Sequence, residues 1–377
     1  MKIKYPEKWE SNELEIQYSN SISSDTVFFR RLSGESLSVS NEAMVASCLL
    51  PAMAGPDEPI ELEGEISERF LSCLPTIQDI FSQWQPNLEF RAINVDARDN
   101  RTVAPGRIAT FFSGGMDSFF TLLKHREEIT DLIFIHGFDI SLGDTGLREN
   151  VSGHLQEVAA HFDVGLIEVE TNLRDFFSDI PWGISHGAGL ATVGHLLSSE
   201  FSKLYIPSSY SYGELFPWGS HPLLDPLWSS DRLAFIHDGC EATRNDKARL
   251  ISKSDIALQH LRVCWENPNS AYNCGVCEKC VRTMINLEVN GALERCDTFE
   301  RSLTPRMVVN IVPKAESIKR FAQQNLQTLR ENEINNGITR ELQKVVSQPI
   351  VYRKIRREIL KFPAEVKRCL RKFHSQD

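Results

Sequence analysis

The sequence predicts an α/β protein with a parallel five-stranded sheet and helices on both of its faces. From Arg107 onward, short apolar, β-prone runs alternate with segments of helical periodicity, which is the pattern of strands joined by crossover helices. A glycine turn follows the first apolar run, and polar segments follow the others. The predicted strands are 107–112, 131–138, 164–170, 203–209 and 232–238, and the predicted helices are 118–128, about 149–162 and about 187–200.

Residues 1–104 are expected to form an N-terminal α+β accessory domain. Strand-like runs are found at 14–19, 25–32, 60–66 and 86–100, and helical periodicity at 41–53 and 67–84. Pro75 is expected to interrupt the second helix. Such a domain could read specificity, bind a partner, or pack as a lid with no ligand of its own. Two further units are predicted, the parallel-sheet domain at 105–296 and a helical region with a basic tail at 297–377.

Composition narrows the class of protein. The net charge of −10 over 377 residues disfavours a broad nucleic-acid-binding surface. Charge is uneven, because residues 350–377 carry nine basic and three acidic side chains and the rest of the chain is left at −16. This tail could bind a protein partner, RNA or an acidic surface, or it could be a solvated terminal helix. No long apolar run and no signal peptide are found, so a cytoplasmic protein without a membrane span is expected.

The segment Ser113-Gly114-Gly115-Met116-Asp117-Ser118 lies where the first predicted strand passes into the first predicted helix. Two glycines allow a tight turn and a close approach of backbone N–H groups to a ligand. A helix N-terminus suits an anion, and the hydroxyls of Ser113 and Ser118 could cap the helix or bond phosphate oxygens. Asp117 fits a magnesium partner or a helix-capping group better than a phosphate contact. The alternative is a βα turn without a ligand.

The residues SGGMDS resemble the pyrophosphate-binding loop of the N-type ATP pyrophosphatases, which split ATP between its α and β phosphates. No Gly-Lys-Ser/Thr follows, so the segment is not a Walker loop. The resemblance implies an adenine nucleotide alpha hydrolase-like fold with ATP bound at residues 113–118. In that family the end of the second strand, here His136, Gly137 and Phe138, supports the adenine or ribose. The alternative there is a strand-end turn with a satisfied histidine.

The segment 208–228 is long for a connection after a strand. Long ordered segments over a scaffold are often the elements that recognise a substrate. The candidate substrate residues are Tyr210, Tyr212, Glu214, His221 and Asp225. The alternative is a covering flap packed by Phe216, Trp218 and Trp228.

Four of the nine cysteines, Cys264, Cys274, Cys277 and Cys280, have the spacing C-x9-C-x2-C-x2-C. Two-residue gaps let successive thiolates point at one tetrahedral centre, so the spacing predicts a closed, structural zinc site. An iron–sulfur cluster is the competing assignment, because four thiolates also suit iron. Among the other cysteines, only Cys240 lies beside the predicted active edge of the sheet and is a candidate reactive thiol.

The loop and the cysteine knuckle together resemble the 7-cyano-7-deazaguanine synthases over about residues 107–290. The segment 242–247 resembles that family's Thr-Lys segment, and Arg282 matches its frequent arginine. The chain departs from the family in its N-terminal and C-terminal extensions and in carrying Arg244 where lysine is usual, which puts the substrate in doubt. Synthase-like proteins with extensions occur in antiphage and modified-nucleobase gene clusters.

This resemblance implies an ATP-dependent C–N ligase that needs Mg²⁺ and forms an acyl adenylate from 7-carboxy-7-deazaguanine or a related carboxylate. Ammonia or another nitrogen nucleophile then displaces AMP, and in the parent enzymes a second ATP dehydrates the amide to a nitrile. Asp117, Arg244, Lys247 and Arg282 are the implied catalytic residues, the three cations neutralising the α-phosphate. Rival functions are a tRNA-thiolating or lysidine-type enzyme and a non-catalytic nucleotide-sensing or docking protein. Homodimerisation is left open.

Overall fold

A computed structural model describes residues 1–4, 12–33, 36–98, 106–309, 311–313 and 316–361. The chain divides into two compact units, Met1–Thr243 and Arg244–Asp377. The boundary between the units, after Thr243, differs from the domain boundaries expected after residues 104 and 296. The three expected domains stay a prediction.

The first unit contains all the strands found in the described residues. Its strands are β1 Lys2–Lys4, β2 Glu13–Ser19, β3 Ser24–Arg31, β4 Ile60–Ser67, β5 Ile93–Arg98, β6 Arg107–Phe111, β7 Asp131–His136, β8 Gly165–Thr171, β9 Phe201–Pro207 and β10 Ala234–Asp238. Its helices are α1 Asn41–Ala54, α2 Glu68–Trp84, α3 Met116–Lys124, α4 Thr145–Phe162, α5 Leu173–Phe176 and α6 Trp182–Leu196.

The five strands predicted after Arg107 are all present, with ends shifted by one or two residues. They are mutually parallel in the order β8-β7-β6-β9-β10. Phe111 of β6 lies opposite Ile133 of β7, and Thr110 lies opposite Tyr205 of β9. The strand that comes first in this half is therefore central, and the chain changes direction across the sheet between β6 and β9. This is the topological switch point of an open α/β sheet.

The sheet does not stop at β8. Strand β3 pairs antiparallel with β8, Phe29 lying opposite Thr171, and the order continues β3-β2-β1-β4-β5. The described residues thus form one ten-stranded mixed sheet with helices on both sides, and the expectation of a separate five-stranded parallel sheet needs correction. The physical reason is that β8 is an edge strand of the parallel half, and its unpaired backbone groups accept β3 as a neighbour.

Helix α2 corrects a second expectation. It runs through Pro75 without ending, and its buried residues Phe70, Leu74, Ile77 and Phe81 form one stripe. A proline inside a helix costs about 3 kcal/mol, whereas each fully buried large apolar side chain contributes about 1.5–3 kcal/mol. Burial of the stripe therefore outweighs the missing hydrogen bond.

A network of charged side chains, of which Arg31 and Glu200 are buried, holds the added strands to the parallel half. Glu200, just before β9, accepts hydrogen bonds from Arg31 at the end of β3 and from Arg107 Nη1 of β6, the latter at 2.8 Å. Arg107 Nε also donates to Asp131 Oδ2 of β7 at 3.0 Å. The side chains of Arg31 and Glu200 are 4% and 5% exposed. Each of these buried charges is stable only because the other is present.

The second unit is helical in its described residues. Its helices are α7 Arg244–Ile251, α8 Asp255–His260, α9 Glu278–Glu288, α10 Pro305–Val308, α11 Glu316–Glu331, α12 Gly337–Ser347 and α13 Ile350–Lys361. An apolar cluster that includes Val281, Ile285, Leu326 and Leu342 forms its core.

Helix α13 contains the described part of the basic tail, and two of its cations are used inside the unit. Arg353 is fully buried and donates from Nη2 to the carbonyl oxygens of Val308 and Ile311, both at 3.0 Å. Arg356 donates from Nη2 to Glu341 Oε1 at 3.0 Å. Burial, together with the neighbouring charge of Arg356, lowers the pKa of Arg353 to about 10. The rest of the tail, residues 362–377, lies outside the described residues.

Glu200→Ala is expected to lower the free energy of unfolding by about 3–5 kcal/mol, because it leaves Arg31 buried without its partner. Urea denaturation followed by circular dichroism measures the change. Glu127→Ala is the matched control, since that carboxylate is 94% exposed and its one ion pair, to Arg126, spans 3.8 Å. Equal stability of the two variants would show that the network does not hold the sheet together.

Candidate active site and metal centre

The SGGMDS segment occupies the turn between β6 and α3. Because β6 is central and parallel to β7 and β9, the turn lies at the switch point, where the carboxyl ends of the strands meet. Gly114 has φ +70°, a left-handed conformation that a side chain would strain. Gly115 is the N-cap of α3 and is extended, so the chain passes from strand to helix within two glycines. The predicted strand–turn–helix geometry is therefore present.

Among the residues that the structure describes, no N-cap side chain forms a hydrogen bond at the start of α3. Ser118 is buried, and its hydroxyl donates to the Gly115 carbonyl at 3.0 Å, so it does not cap the helix as the sequence allowed. Asp117 lies in the first turn and is partly buried. Ser113 is also partly buried, and Met116 is buried. The anion-attracting end of the helix dipole is thus left to backbone N–H groups.

Asp238, which sequence reasoning missed, ties α3 to the end of β10. Its carboxylate accepts hydrogen bonds from Thr121 Oγ1 and Lys124 Nζ, each at 2.8 Å, and from His125 Nε2 at 2.9 Å. Burial would raise the pKa of Asp238, but these hydrogen bonds outweigh burial and lower the pKa. The folded protein therefore favours the ionised carboxylate of Asp238. This carboxylate holds in place the helix that begins at the glycine turn.

At the end of β7 the three predicted adenosine-supporting residues have structural partners. The buried His136 ring contacts Glu168 Oε1 through Nε2 at 2.9 Å and accepts from Arg148 Nε at Nδ1. Gly137 has φ +98°, and a Cβ there would lie 2.0 Å from the Thr171 carbonyl oxygen. Phe138 packs edge-on against Trp182. Both ring nitrogens of His136 are thus bonded to protein side chains. A nucleotide contact from His136, Gly137 or Phe138 stays a prediction.

The 208–228 segment is folded over the sheet by its own side chains. Tyr210 packs on Phe216, and Glu214 accepts from the backbone N–H of Ser211 at 3.2 Å. His221 is buried and accepts from the Leu223 N–H, whereas Tyr212 is 66% exposed. Burial first, and then the neighbouring His237, lower the pKa of His221. These contacts pack the segment against itself. Substrate recognition by the segment stays a prediction.

Asp225 has a partner that the sequence did not reveal. Its Oδ2 lies 2.6 Å from His237 Nδ1 and accepts from Ser220 Oγ at 2.7 Å, while Oδ1 accepts from the His221 N–H. Burial would lower the pKa of His237, but Asp225, aided by Cys240, raises it to about 9. The signal that could have found this pair is the His-Asp sequence at the end of a predicted strand, where polar side chains are unexpected.

The three predicted phosphate-neutralising cations belong to the second unit. Arg244 and Lys247 are on α7 and Arg282 is on α9, and all three are buried. Arg282 Nε lies 3.2 Å from Glu278 Oε1, and its guanidinium is 4.1 Å from the centre of the Phe321 ring. They are therefore not the ordinary surface cations that the sequence left as an alternative, and their action on a phosphate stays a prediction.

The four predicted cysteine ligands come together. The sulfurs of Cys264, Cys274, Cys277 and Cys280 all lie within 4.8 Å of one another, close enough to hold one metal ion such as zinc. Backbone N–H groups support two of them, Cys277 N donating to Cys274 Sγ at 3.3 Å and Cys280 N to Cys277 Sγ at 3.4 Å. Gly275, with φ +67°, makes the turn between them.

Asn273 positions the distant ligand and was not anticipated. Its Oδ1 accepts from the N–H groups of Val263 and Cys264 at 2.9 and 3.1 Å, and its Nδ2 donates to the Leu261 carbonyl. The buried amide of Asn273 thus holds the segment 261–264 beside the turn that carries the other three cysteines. Hydrogen bonds from Cys277 and Cys280 lower the pKa of Cys264. A thiolate already favoured at one position suits cation binding, which deprotonates the remaining thiols.

No family model, no curated protein and no solved structure matches the chain. Within the ranges that the structure describes, none of the helices has the length and apolar character needed to cross a membrane.

Replacing His237 by Gln should remove a pH-dependent contribution to stability. A pKa raised from 6.5 to about 9 stabilises the folded state fully below pH 6.5, by about 3 kcal/mol, and this contribution is lost as the pH rises through 9. The difference in unfolding free energy between wild type and variant should therefore shrink from about pH 6 to about pH 9.5. A difference that does not change with pH contradicts the Asp225–His237 pair, and an NMR titration of His237 gives the pKa directly.

Cys277→Ser is expected to remove the bound metal and lower the melting temperature, because structural zinc binding contributes directly to folding. Metal content is measured by mass spectrometry of the purified protein, and a visible absorption spectrum distinguishes iron–sulfur from zinc. Cys73→Ser, outside the cluster, is the control and should change neither quantity. Wild-type protein that neither contains nor takes up a metal would disprove the site.

Proposed function

We propose that this protein is an ATP-dependent carboxylate-adenylating enzyme of the 7-cyano-7-deazaguanine synthase type, which splits ATP to AMP and pyrophosphate. The observation that carries the proposal is the position of SGGMDS at the switch point of a parallel half-sheet, in a chain whose cysteines also form a four-sulfur cluster. Open α/β sheets bind ligands at this point, and a left-handed glycine before an uncapped helix suits a phosphate group.

In the proposed reaction the backbone N–H groups from Gly115 onward bind the β- and γ-phosphates as they leave. Preorganised N–H donors stabilise negative charge that develops on a leaving group. Asp117, an acid in the first turn of α3, would hold the magnesium ion, which supplies further charge neutralisation. Asp238 keeps α3 in place through three hydrogen bonds, so the donors do not have to reorganise during the reaction.

Arg244, Lys247 and Arg282 are proposed to neutralise the α-phosphate, whose charge otherwise repels an incoming carboxylate. All three side chains are buried, which distinguishes them from solvated surface cations. The cysteine cluster would hold zinc as a structural ion that orders the segment between α8 and α9. With four thiolates it leaves no open coordination position for water.

The proposed carboxylate is 7-carboxy-7-deazaguanine or a relative of it, and the acceptor is a nitrogen nucleophile. The carboxylate requires AMP as a leaving group because oxide leaves poorly. Arg244 in place of the family's lysine and the two extensions favour a substrate that differs from that of the parent enzymes. Ammonia, an amine or a protein terminus fits the chemistry equally, and so does a product left at the amide stage.

Wild-type protein with ATP, Mg²⁺, ammonia and 7-carboxy-7-deazaguanine should release AMP and pyrophosphate. Asp117→Ala is expected to slow AMP formation by about 10²–10³-fold, the usual effect of removing one electrostatic stabiliser.

Gly114→Ala should weaken ATP binding because φ is +70° there, whereas Gly146→Ala, with open space around its Cβ, is the matched control. ADP and phosphate as products, or full activity of both site variants, would contradict the mechanism. Calorimetric ATP binding without turnover would mean that the carboxylate is wrong.

A further inference from the structure

Cys240 lies two residues after β10, at the same edge of the sheet as the SGGMDS turn. Its sulfur is 3.3 Å from Ser208 Oγ, and its carbonyl accepts from the Tyr212 N–H at 2.8 Å. Strand β10 neighbours β9, and β9 neighbours β6, so two interstrand spacings, about 10 Å in all, separate the ends of β10 and β6. An acyl group that is activated at the turn is thus separated from this thiol by no more than about the length of one small substrate.

Next to Cys240 stands the imidazole of His237, whose side chain is 3% exposed. Nδ1 is held by Asp225, and among the described residues Nε2 has no partner with hydrogen-bond geometry. Cys240 is close enough to help raise the pKa of this imidazole. Asp225 therefore holds the imidazole of His237, and the imidazole lies beside the thiol of Cys240. Catalytic cysteines have the same arrangement, in which the carboxylate orients the imidazole that acts as the base.

A buried bystander thiol has different surroundings, and the chain supplies one for comparison. Cys48 is fully buried in the apolar core of the first unit, and its thiol contacts the Val45 carbonyl at 3.8 Å. Burial raises the pKa of Cys48 to about 12. Cys240 is also buried, but its neighbours include the Ser208 hydroxyl and the His237 imidazole. Polar, cationic surroundings of this kind distinguish reactive cysteines from structural ones.

We propose that Cys240 is the acyl acceptor of the adenylate, with His237 as its base and Asp225 as the positioning residue. This inference rests on the proposed function. The thiol proton rests on His237 Nε2, so that a thiolate stands beside an imidazolium, and the thiolate attacks the carbonyl carbon of the acyl adenylate. A C–S bond forms, the C–O bond to AMP breaks, and AMP leaves with the electron pair. The product of this step is a thioester on Cys240.

The nitrogen nucleophile then attacks the thioester carbon. A C–N bond forms, the C–S bond breaks, the sulfur leaves as thiolate beside the imidazolium, and the amine proton passes to water. The thioester separates ATP consumption from the encounter with the acceptor, so an acceptor too large to enter together with ATP can still react. Because Cys240 is 3% exposed, the residues over it, from Ser208 to Tyr212, must move for the acyl group to reach the sulfur.

The thiol is tested first without ATP or carboxylate. Metal-loaded protein is treated with iodoacetamide at pH 7, and the alkylation rate of each cysteine is followed by peptide mass spectrometry. Cys240 should react at least about tenfold faster than Cys48, and His237→Gln should slow it by at least about tenfold. His161→Gln, which removes an exposed ring on α4, should leave the rate unchanged. Equal rates for Cys240 and Cys48 overturn the proposal.

The acyl step is tested with ATP, Mg²⁺ and 7-carboxy-7-deazaguanine in the absence of a nitrogen nucleophile. Intact-protein mass spectrometry should show an acyl adduct that hydroxylamine removes and that Cys240→Ser, checked for folding by circular dichroism, does not form. AMP release without an adduct, with full amide formation by Cys240→Ser, overturns the thioester and leaves the proposed function standing. If no AMP is released the proposed function fails, and the alkylation rates alone decide whether Cys240 is a reactive thiol.

Discussion

The parallel pairing of β6 between β7 and β9 is the constraint on which the rest of the site depends. A strand hydrogen-bonded on both sides cannot shift, so the glycine turn that follows it has a fixed position at the sheet edge. The same pairing fixes the start of α3, and Asp238 adds a second attachment from β10. A turn anchored at both ends can keep its N–H groups directed at a ligand without the entropy cost of ordering them when the ligand arrives.

Periodicity and motif spacing predicted the elements that repeat a simple rule. The five parallel strands, the turn at Gly114 and the meeting of the four cysteine sulfurs all follow from local patterns of apolar alternation or ligand spacing. What could not be predicted depends on partners far apart in sequence. Strand β3 could have packed in a separate sheet, and only the free edge of β8 makes it the next strand. Pro75 similarly survives in α2 because tertiary burial outweighs a local penalty.

The contacts of the candidate side chains could be predicted less well than the course of the backbone. The sequence offers Glu214, His221 and Asp225 as polar residues in a long segment, and in the structure each is buried and hydrogen-bonded to its neighbours. Sequence shows which residue types are present, whereas burial and pairing decide whether a polar group faces a substrate or supports the fold. His237, Asp238 and Asn273 show the converse. Each one forms several hydrogen bonds, and the sequence does not reveal them because the partners come from other segments of the chain.

The N-terminal strands also support the edge of the sheet that carries the candidate active site. Asn172, the residue after β8, donates to the Thr26 carbonyl and accepts from the Phe28 N–H, so β3 holds the chain where the third parallel strand ends. In a sheet that stopped at β8 this end would be an open edge with unpaired backbone groups. The extension instead moves the outer edge of the sheet to β5, whose Asp96 and Arg98 place charges along it. The added residues are therefore part of the scaffold that shapes the site, and removing them would expose β8 and release Asn172 together.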